Sequence, residues 1–269
     1  MDTTQYLERP EGRIAYEVAG EGPLVVCLPG MGDLRSAYRF TVPALFAAGH
    51  RVATVDLRGH GDSDATFTRY DDVAAGEDVL TLIENLGGPA IVVGNSMGAG
   101  AAVWAAAERP ELVRGLALVG PFVRNPPIGA LMRGLVRVLL ARPWARPVWG
   151  LYYPSLSPGR KPDDFAAHRR AIADSMRRPG RTRAFAATTR TDHTPAEERL
   201  PQVRQPVLVV MGASDPDFAD PAAEAQWIAD RLRADVLLVP DAGHYPQADA
   251  PELVNPRLVD FCRSVVAGA

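Results

Sequence analysis

The sequence predicts an α/β fold: a mostly parallel central sheet with helices on both faces, interrupted by an inserted helical segment. Two observations carry this. Short, wholly apolar runs of strand length alternate with longer stretches of helical spacing up to residue 120 and again after residue 205. Between those limits the rhythm stops and no strand-like run occurs. The expected units are a core domain of residues 1–120 and 206–269 and a helical insertion of residues 121–205.

Taken in order, residues 13–19 read as a strand and 24–28 as a fully buried one. Residues 38–48 have helical spacing and end at Gly49, a helix-stop residue. Residues 51–57 return to strand character, and 72–86 form a helix ended by Gly87 and Gly88. A strand follows at 90–95, an alanine-rich helix at 97–109 stopped by Pro110, and a strand at 113–119. In the insertion, Ile128, Leu131, Leu135, Val138 and Leu139 are spaced as a helical stripe. Pro143, Pro147, Pro154 and Pro158 then interrupt, and residues 163–176 carry a second helical pattern. The alternation resumes with a strand at 207–211, a helix at 221–232, a strand at 236–239 and a last helix at 252–266.

Composition excludes several function classes. The 269 residues are 47% hydrophobic and 23% charged, enough ordinary globular chain to bury a core without disulfides or metals. Cys27 and Cys262 lie in apolar stretches and read as buried, reduced thiols. No apolar run approaches transmembrane length, and the N-terminus lacks a charged-then-apolar signal pattern, so no membrane partner and a cytoplasmic location are expected. The net charge of −3 hides an asymmetry. Residues 121–205 hold fifteen arginines and one lysine against six acidic residues, about +10, which leaves about −13 elsewhere. Nucleic acid is not an expected partner, because arginine is the default cation of a chain with almost no lysine and no nucleic-acid-binding motif occurs. The cationic segment either pairs with the acidic core or steers an anionic small-molecule substrate.

The pattern that carries chemistry is Gly94-Asn95-Ser96-Met97-Gly98, between a buried strand and an alanine-rich helix. A serine on so sharp a turn is held in a strained backbone conformation, and its neighbours two before and two after must be small. Gly100 and Ala101 keep the following helix close to the sheet. Serine needs a base to remove its proton. Of His50, His60, His168, His193 and His244, the last follows the final strand, on the side of a parallel sheet where catalytic groups gather. His60 shares that side, His50 lies on the opposite one, and His168 and His193 belong to the insertion. An orienting carboxylate is expected after another strand, and Asp215 fits, with Asp217 as the fallback and Asp220 a more distant rival. The glycine-rich loop at residues 28–32 follows a buried strand, so the Met31 N–H is expected to join the Met97 N–H in holding an oxyanion. No dinucleotide fingerprint, phosphate-binding loop, H-E-x-x-H or Cys/His cluster occurs, so neither a nucleotide cofactor nor a metal is expected.

The order Ser96, Asp215, His244 resembles that of the α/β-hydrolase family, as does Asp56-Leu57-Arg58-Gly59-His60-Gly61-Asp62-Ser63, which is similar to the family's D-x-R-G-x-G-x-S loop. The resemblance covers nearly the whole chain outside the insertion. It implies a structural part for the loop, leaving His60 a bystander, and makes the insertion a cap over Ser96, entering after the sixth strand. The elbow is also similar to that of the hydrolases of meta-cleavage products. Against that subfamily stand Ala99 where those have glycine, Tyr245 where they have tryptophan, and the lack of a G-P-G-A run after Gly30. An epoxide hydrolase or haloalkane dehalogenase would need aspartate in place of Ser96.

These readings lead to a serine hydrolase of a carboxylic ester or lactone, acting through an acyl-enzyme. Carbon–carbon hydrolysis is the second reading. A third, of another class, is a non-catalytic sensor that binds a small molecule on the same fold. Trp144, Trp149, Tyr152, Tyr153 and Phe165 are candidates either to line the pocket or to pack between the helices of the insertion. The oligomeric state is left open.

Overall fold

A computed structural model of the chain describes residues 3–126, 129, 134–135, 138–141 and 143–268. Its strands are β1 (Gln5–Arg9), β2 (Gly12–Ala19), β3 (Leu24–Leu28), β4 (Arg51–Val55), β5 (Ala90–Asn95), β6 (Val113–Val119), β7 (Val207–Gly212) and β8 (Asp235–Val239). They form one sheet in the order β1-β2-β4-β3-β5-β6-β7-β8. β1 and β2 run antiparallel to their neighbours, and every pair from β4–β3 to β7–β8 is parallel. Every residue of β3, β5 and β7 is buried, which is why these strands read as continuous apolar runs. Their side chains alternate between two apolar clusters, one on each face of the sheet. Val26 and Val92 enter the first with the helices Asp72–Asn85 and Met97–Glu108, and Val25 and Val93 enter the second with the helix Pro251–Ala267.

Outside residues 121–205 the expected elements are present with their ends shifted by a few residues, and β1 is an addition. Only one of its five residues is buried, so it has no apolar signature and is held chiefly by its ladder to β2. The stretch at 38–48 is divided between a 3-10 turn at Arg35–Tyr38 and a helix at Thr41–Ala47. Cys27 and Cys262 are free and buried.

Between β6 and β7 the described residues contain helices and 3-10 turns and no strand. Of the apolar stripe expected there, Ile128 and Leu131 lie outside the described residues, while Leu135, Val138 and Leu139 are exposed. The second expected helix spans Phe165–Arg177, and Ala145–Tyr152 and Arg181–Thr188 are helices that the prolines and arginines concealed. Trp149, Tyr153, Leu156, Ile172, Met176 and Phe185 pack together and onto Tyr245 and Ala248 beyond β8. Around that contact, arginines of the segment pair with acids outside it: Arg124 with Glu224, Arg160 with Glu252, Arg178 with Asp62 and Arg199 with Glu108. Part of the charge asymmetry is thereby neutralised within the molecule. No described helix is long and apolar enough to cross a membrane.

Candidate active site

Ser96 sits between β5 and the helix Met97–Glu108 with φ 56° and ψ −123°. A non-glycine residue holds such a conformation only where its surroundings over-determine it. Here the Ser96 N–H donates to the Val119 carbonyl at 2.9 Å, and the Ser96 carbonyl accepts from Phe122 N–H at 3.2 Å and Ala99 N–H at 2.9 Å. A Cβ on Gly94 would collide with the Gly98 carbonyl, and one on Gly98 would lie 2.5 Å from that of Leu28. Those contacts are the physical content of the two glycines.

His244 and Asp215 reach the same rim from the loops after β8 and β7. Nδ1 of His244 lies 2.7 Å from Oδ2 of Asp215, with both side chains buried. Asp217, the expected fallback, is 3.6 Å from the same nitrogen and receives the hydroxyl of Tyr152. Burial of the imidazole pushes its pKa down, but the facing Asp215 and Asp217 carboxylates outweigh it and raise it to about 9. Asp215, Asp217 and His244 are also the one group among the described residues with metal-ligand spacing, their ligand atoms lying within 4.8 Å of one another. The hydrogen bond between Asp215 and Nδ1 accounts for that cluster without an ion.

The His244 loop is braced on all sides. Its backbone N–H donates to Leu156 at 2.7 Å, and its carbonyl accepts from Asn95 Nδ2 at 3.2 Å. The Gly243 N–H donates to Asp249 at 3.0 Å, whose other oxygen takes the Ser157 hydroxyl at 2.8 Å. Reading the motif by its glycines overlooks Asn95: its one side-chain amide joins the His244 loop to the turn that carries Ser96. Its signal in the sequence was only its place inside the elbow.

Ser96, His244, Met31 and Met97 all line one cavity of about 900 Å³. Among the described residues no hydrogen bond joins the Ser96 hydroxyl to the His244 ring, though both line this cavity. Among the described residues neither the Met31 nor the Met97 N–H donates to a backbone acceptor outside regular elements. The Met31 loop is fixed from two sides. The Gly32 N–H donates to His60 Nε2 at 2.9 Å, and the Gly32 carbonyl accepts from Trp149 Nε1 at 3.0 Å. His60 Nδ1 in turn faces the Arg58 carbonyl at 2.9 Å, and burial lowers the pKa of this ring. His60 is therefore a neutral brace for the Met31 loop.

Of the candidate aromatics, Trp149 and Tyr152 line the cavity, Tyr153 and Phe165 stack on each other away from it, and Trp144 is exposed. His50 is buried under the opposite end of the sheet. His168 meets the buried Asp33 at 2.7 Å and Ser36 at 3.3 Å, joining the helix Phe165–Arg177 to the loop after β3. Its position in a helical pattern gave no hint of that role. His193 reaches the main cavity and pairs with Asp72.

The model of the family described as "Alpha/beta hydrolase family" matches residues 25–257. A 2-(acetamidomethylene)succinate hydrolase of Mesorhizobium japonicum is 32% identical over 270 positions, covering 93% of this chain and 92% of the relative. Among solved structures, the N-acyl homoserine lactone degrading enzyme Est816 matches with TM-score 0.77 and 25% identity, over 96% of this chain and 100% of that one. An epoxide hydrolase matches with TM-score 0.81 at 23% identity, over 98% and 99% of the two chains, a likeness of fold alone.

Proposed function

This chain belongs to the α/β hydrolase family, and we propose that it works there as a serine hydrolase cleaving a small-molecule carboxylic ester or lactone through an acyl-enzyme. The observation that carries this reading is the strained Ser96 on a cavity that also holds a buried imidazole–carboxylate pair. The family alone leaves the reaction open, since its relatives here bear names as different as a lactone-degrading enzyme and an epoxide hydrolase. Ser96 itself favours acyl transfer, because its hydroxyl forms an ester intermediate that water can hydrolyse.

In this mechanism His244 Nε2 takes the Ser96 proton as Oγ bonds to the substrate carbonyl carbon. The carbonyl oxygen gains the charge and is met by the Met31 and Met97 N–H groups. Collapse of the tetrahedral species expels the alkoxide, which leaves with the proton from the imidazolium. Water then attacks the acyl-Ser96 ester and gives its proton to His244, and collapse releases the acid as the imidazolium returns that proton to Ser96 Oγ. Asp215 keeps Nδ1 protonated, so that Nε2 is the free base. No step calls on a cofactor or metal. Residues 121–205 act as the cap of this site, Trp149 and Tyr152 closing it over Ser96.

A fluorophosphonate probe tests the assignment. Covalent labelling is expected on the peptide containing Ser96 and lost in Ser96→Ala. An unlabelled wild-type protein that still binds small molecules tightly and reversibly would favour the sensor reading.

The base must be neutral to act, so kcat/KM is expected to rise with pH and to level off only as pH passes about 9, the value to which Asp215 and Asp217 bring His244. Asp217→Asn removes one of those anions and should move the rising limb toward lower pH. The same ion pair bears on folding. Its stabilisation is complete below the ordinary imidazole value of 6.5 and is lost as pH rises through about 9. A pH–rate profile unmoved in Asp217→Asn would remove Asp217 from this account.

A further inference from the structure

The cavity that holds Ser96 and His244 has a second imidazole on its wall. His193 Nδ1 lies 2.7 Å from Oδ2 of Asp72, a wholly buried carboxylate at the start of the helix Asp72–Asn85. The other Asp72 oxygen is buried and has no partner among the described residues. Burial raises the Asp72 pKa, against the pull of His193. A buried carboxylate with half its acceptors unused is costly to fold. Room has nevertheless been made for the carboxylate: a Cβ on Gly100, four residues beyond Ser96, would lie 2.6 Å from Asp72 Oδ2, the oxygen that faces His193. The Phe122 ring is 5.8 Å from His193 and 5.8 Å from His244, so the two imidazoles are separated by no more than twice that distance. One small substrate can span them.

The wall around His193 is rich in acceptors. In its neutral form, with the Nδ1 proton directed to Asp72, the ring leaves Nε2 as an acceptor, and no described residue donates to it. The hydroxyls of Thr188, Thr189 and Thr191 donate to the carbonyls of Phe185, Ala186 and Thr188 at 2.7, 3.0 and 2.8 Å, so their oxygens too can only accept from a ligand. Asp192 is held as an anion, its pKa lowered to about 2 by hydrogen bonds from Asn125 and Thr194. Among the described residues Arg190 is the one arginine or lysine on this wall. Thr191 also lies 3.9 Å from the Met97 sulfur, which places the acceptor wall beside the nucleophile's neighbour.

We propose that this wall is a specificity subsite for a substrate hydrogen-bond donor, an amide N–H or a hydroxyl, with His193 as its principal acceptor and Asp72 as the residue that positions it. The proposal rests on the serine-hydrolase reading and names the class of ester or lactone: one bearing a donor group away from the scissile carbonyl, in preference to a plain alkyl ester.

The test uses p-nitrophenyl esters with an amide in the acyl chain at one to four methylenes from the carbonyl, each beside its analogue with CH₂ in place of the amide NH. At one spacing or more, wild-type kcat/KM should favour the amide by about tenfold, the worth of one hydrogen bond to an otherwise unpaired group. The difference should lie mainly in KM. His193→Phe should bring the ratio to about one, and His193→Gln, which keeps an acceptor, should retain part of it. Equal rates for amide and analogue at every spacing in the wild type would overturn the subsite without recourse to any variant, as would an unchanged ratio in His193→Phe. Calorimetry of the same amides and analogues, as their uncleavable carboxamides, on Ser96→Ala separates the two readings. A hydrolase failure leaves Ser96 unlabelled while this binding preference persists, and a subsite failure leaves labelling intact and the preference absent.

Discussion

Ser96→Ala is expected to lower kcat by roughly a millionfold, to the level that binding and oxyanion contacts alone sustain. The size follows from the division of labour proposed above. Without Oγ no ester intermediate forms, and His244 with Asp215 can only assist water, which is not held at the Ser96 position. Folding should be little affected, because alanine removes a hydroxyl that faces the cavity and makes no hydrogen bond among the described residues. The backbone bonds that hold the turn, to Val119, Phe122 and Ala99, remain. Steady-state rates on a chromogenic acyl ester, with circular dichroism as the check on folding, measure this. A loss below a hundredfold would mean that another group is the nucleophile.

Asp215→Asn is expected to lower kcat by about ten thousandfold. The carboxylate at 2.7 Å accepts the Nδ1 proton, whereas the new amide can donate there, driving the ring proton to Nε2 and removing the base. Asp217, at 3.6 Å, is the remaining carboxylate in that variant but is also engaged by Tyr152, so it cannot fully replace the lost partner. Asp217→Asn at its own optimum pH should cost less than tenfold. The opposite ranking of the two variants would make Asp217 the orienting acid, and the comparison is therefore worth making in one set of assays.

What the sequence revealed depended on how local its signal was. β5, the turn at Ser96 and the helix Met97–Glu108 are contiguous, and the collisions that exclude side chains at Gly94 and Gly98 leave a mark that can be read directly. Asp215 and His244 could be nominated because each follows an apolar strand. β1 left no mark, since a largely exposed edge strand has no apolar alternation to display. The helix at Ala145–Tyr152 is hidden by Pro147 and its flanking prolines, and Arg181–Thr188 by Arg181 and Arg183, whose guanidinium groups reach the Ser63 and Ala65 carbonyls. The pairs His168–Asp33 and His193–Asp72 join residues more than a hundred positions apart, and nothing along the chain announces either partner. The position of His60 after a strand puts it on the Ser96 side of the sheet, yet its grip on the Gly32 N–H is a tertiary fact.

The covalent role of one oxygen can be seen directly by quenching the protein with acid within milliseconds of mixing with an activated ester, then mapping the mass change. A mass gain equal to the acyl group, confined to the peptide carrying Ser96 and accumulating in step with a burst of released alcohol, is the predicted result. Multiple turnovers with every peptide unmodified throughout the burst would contradict it.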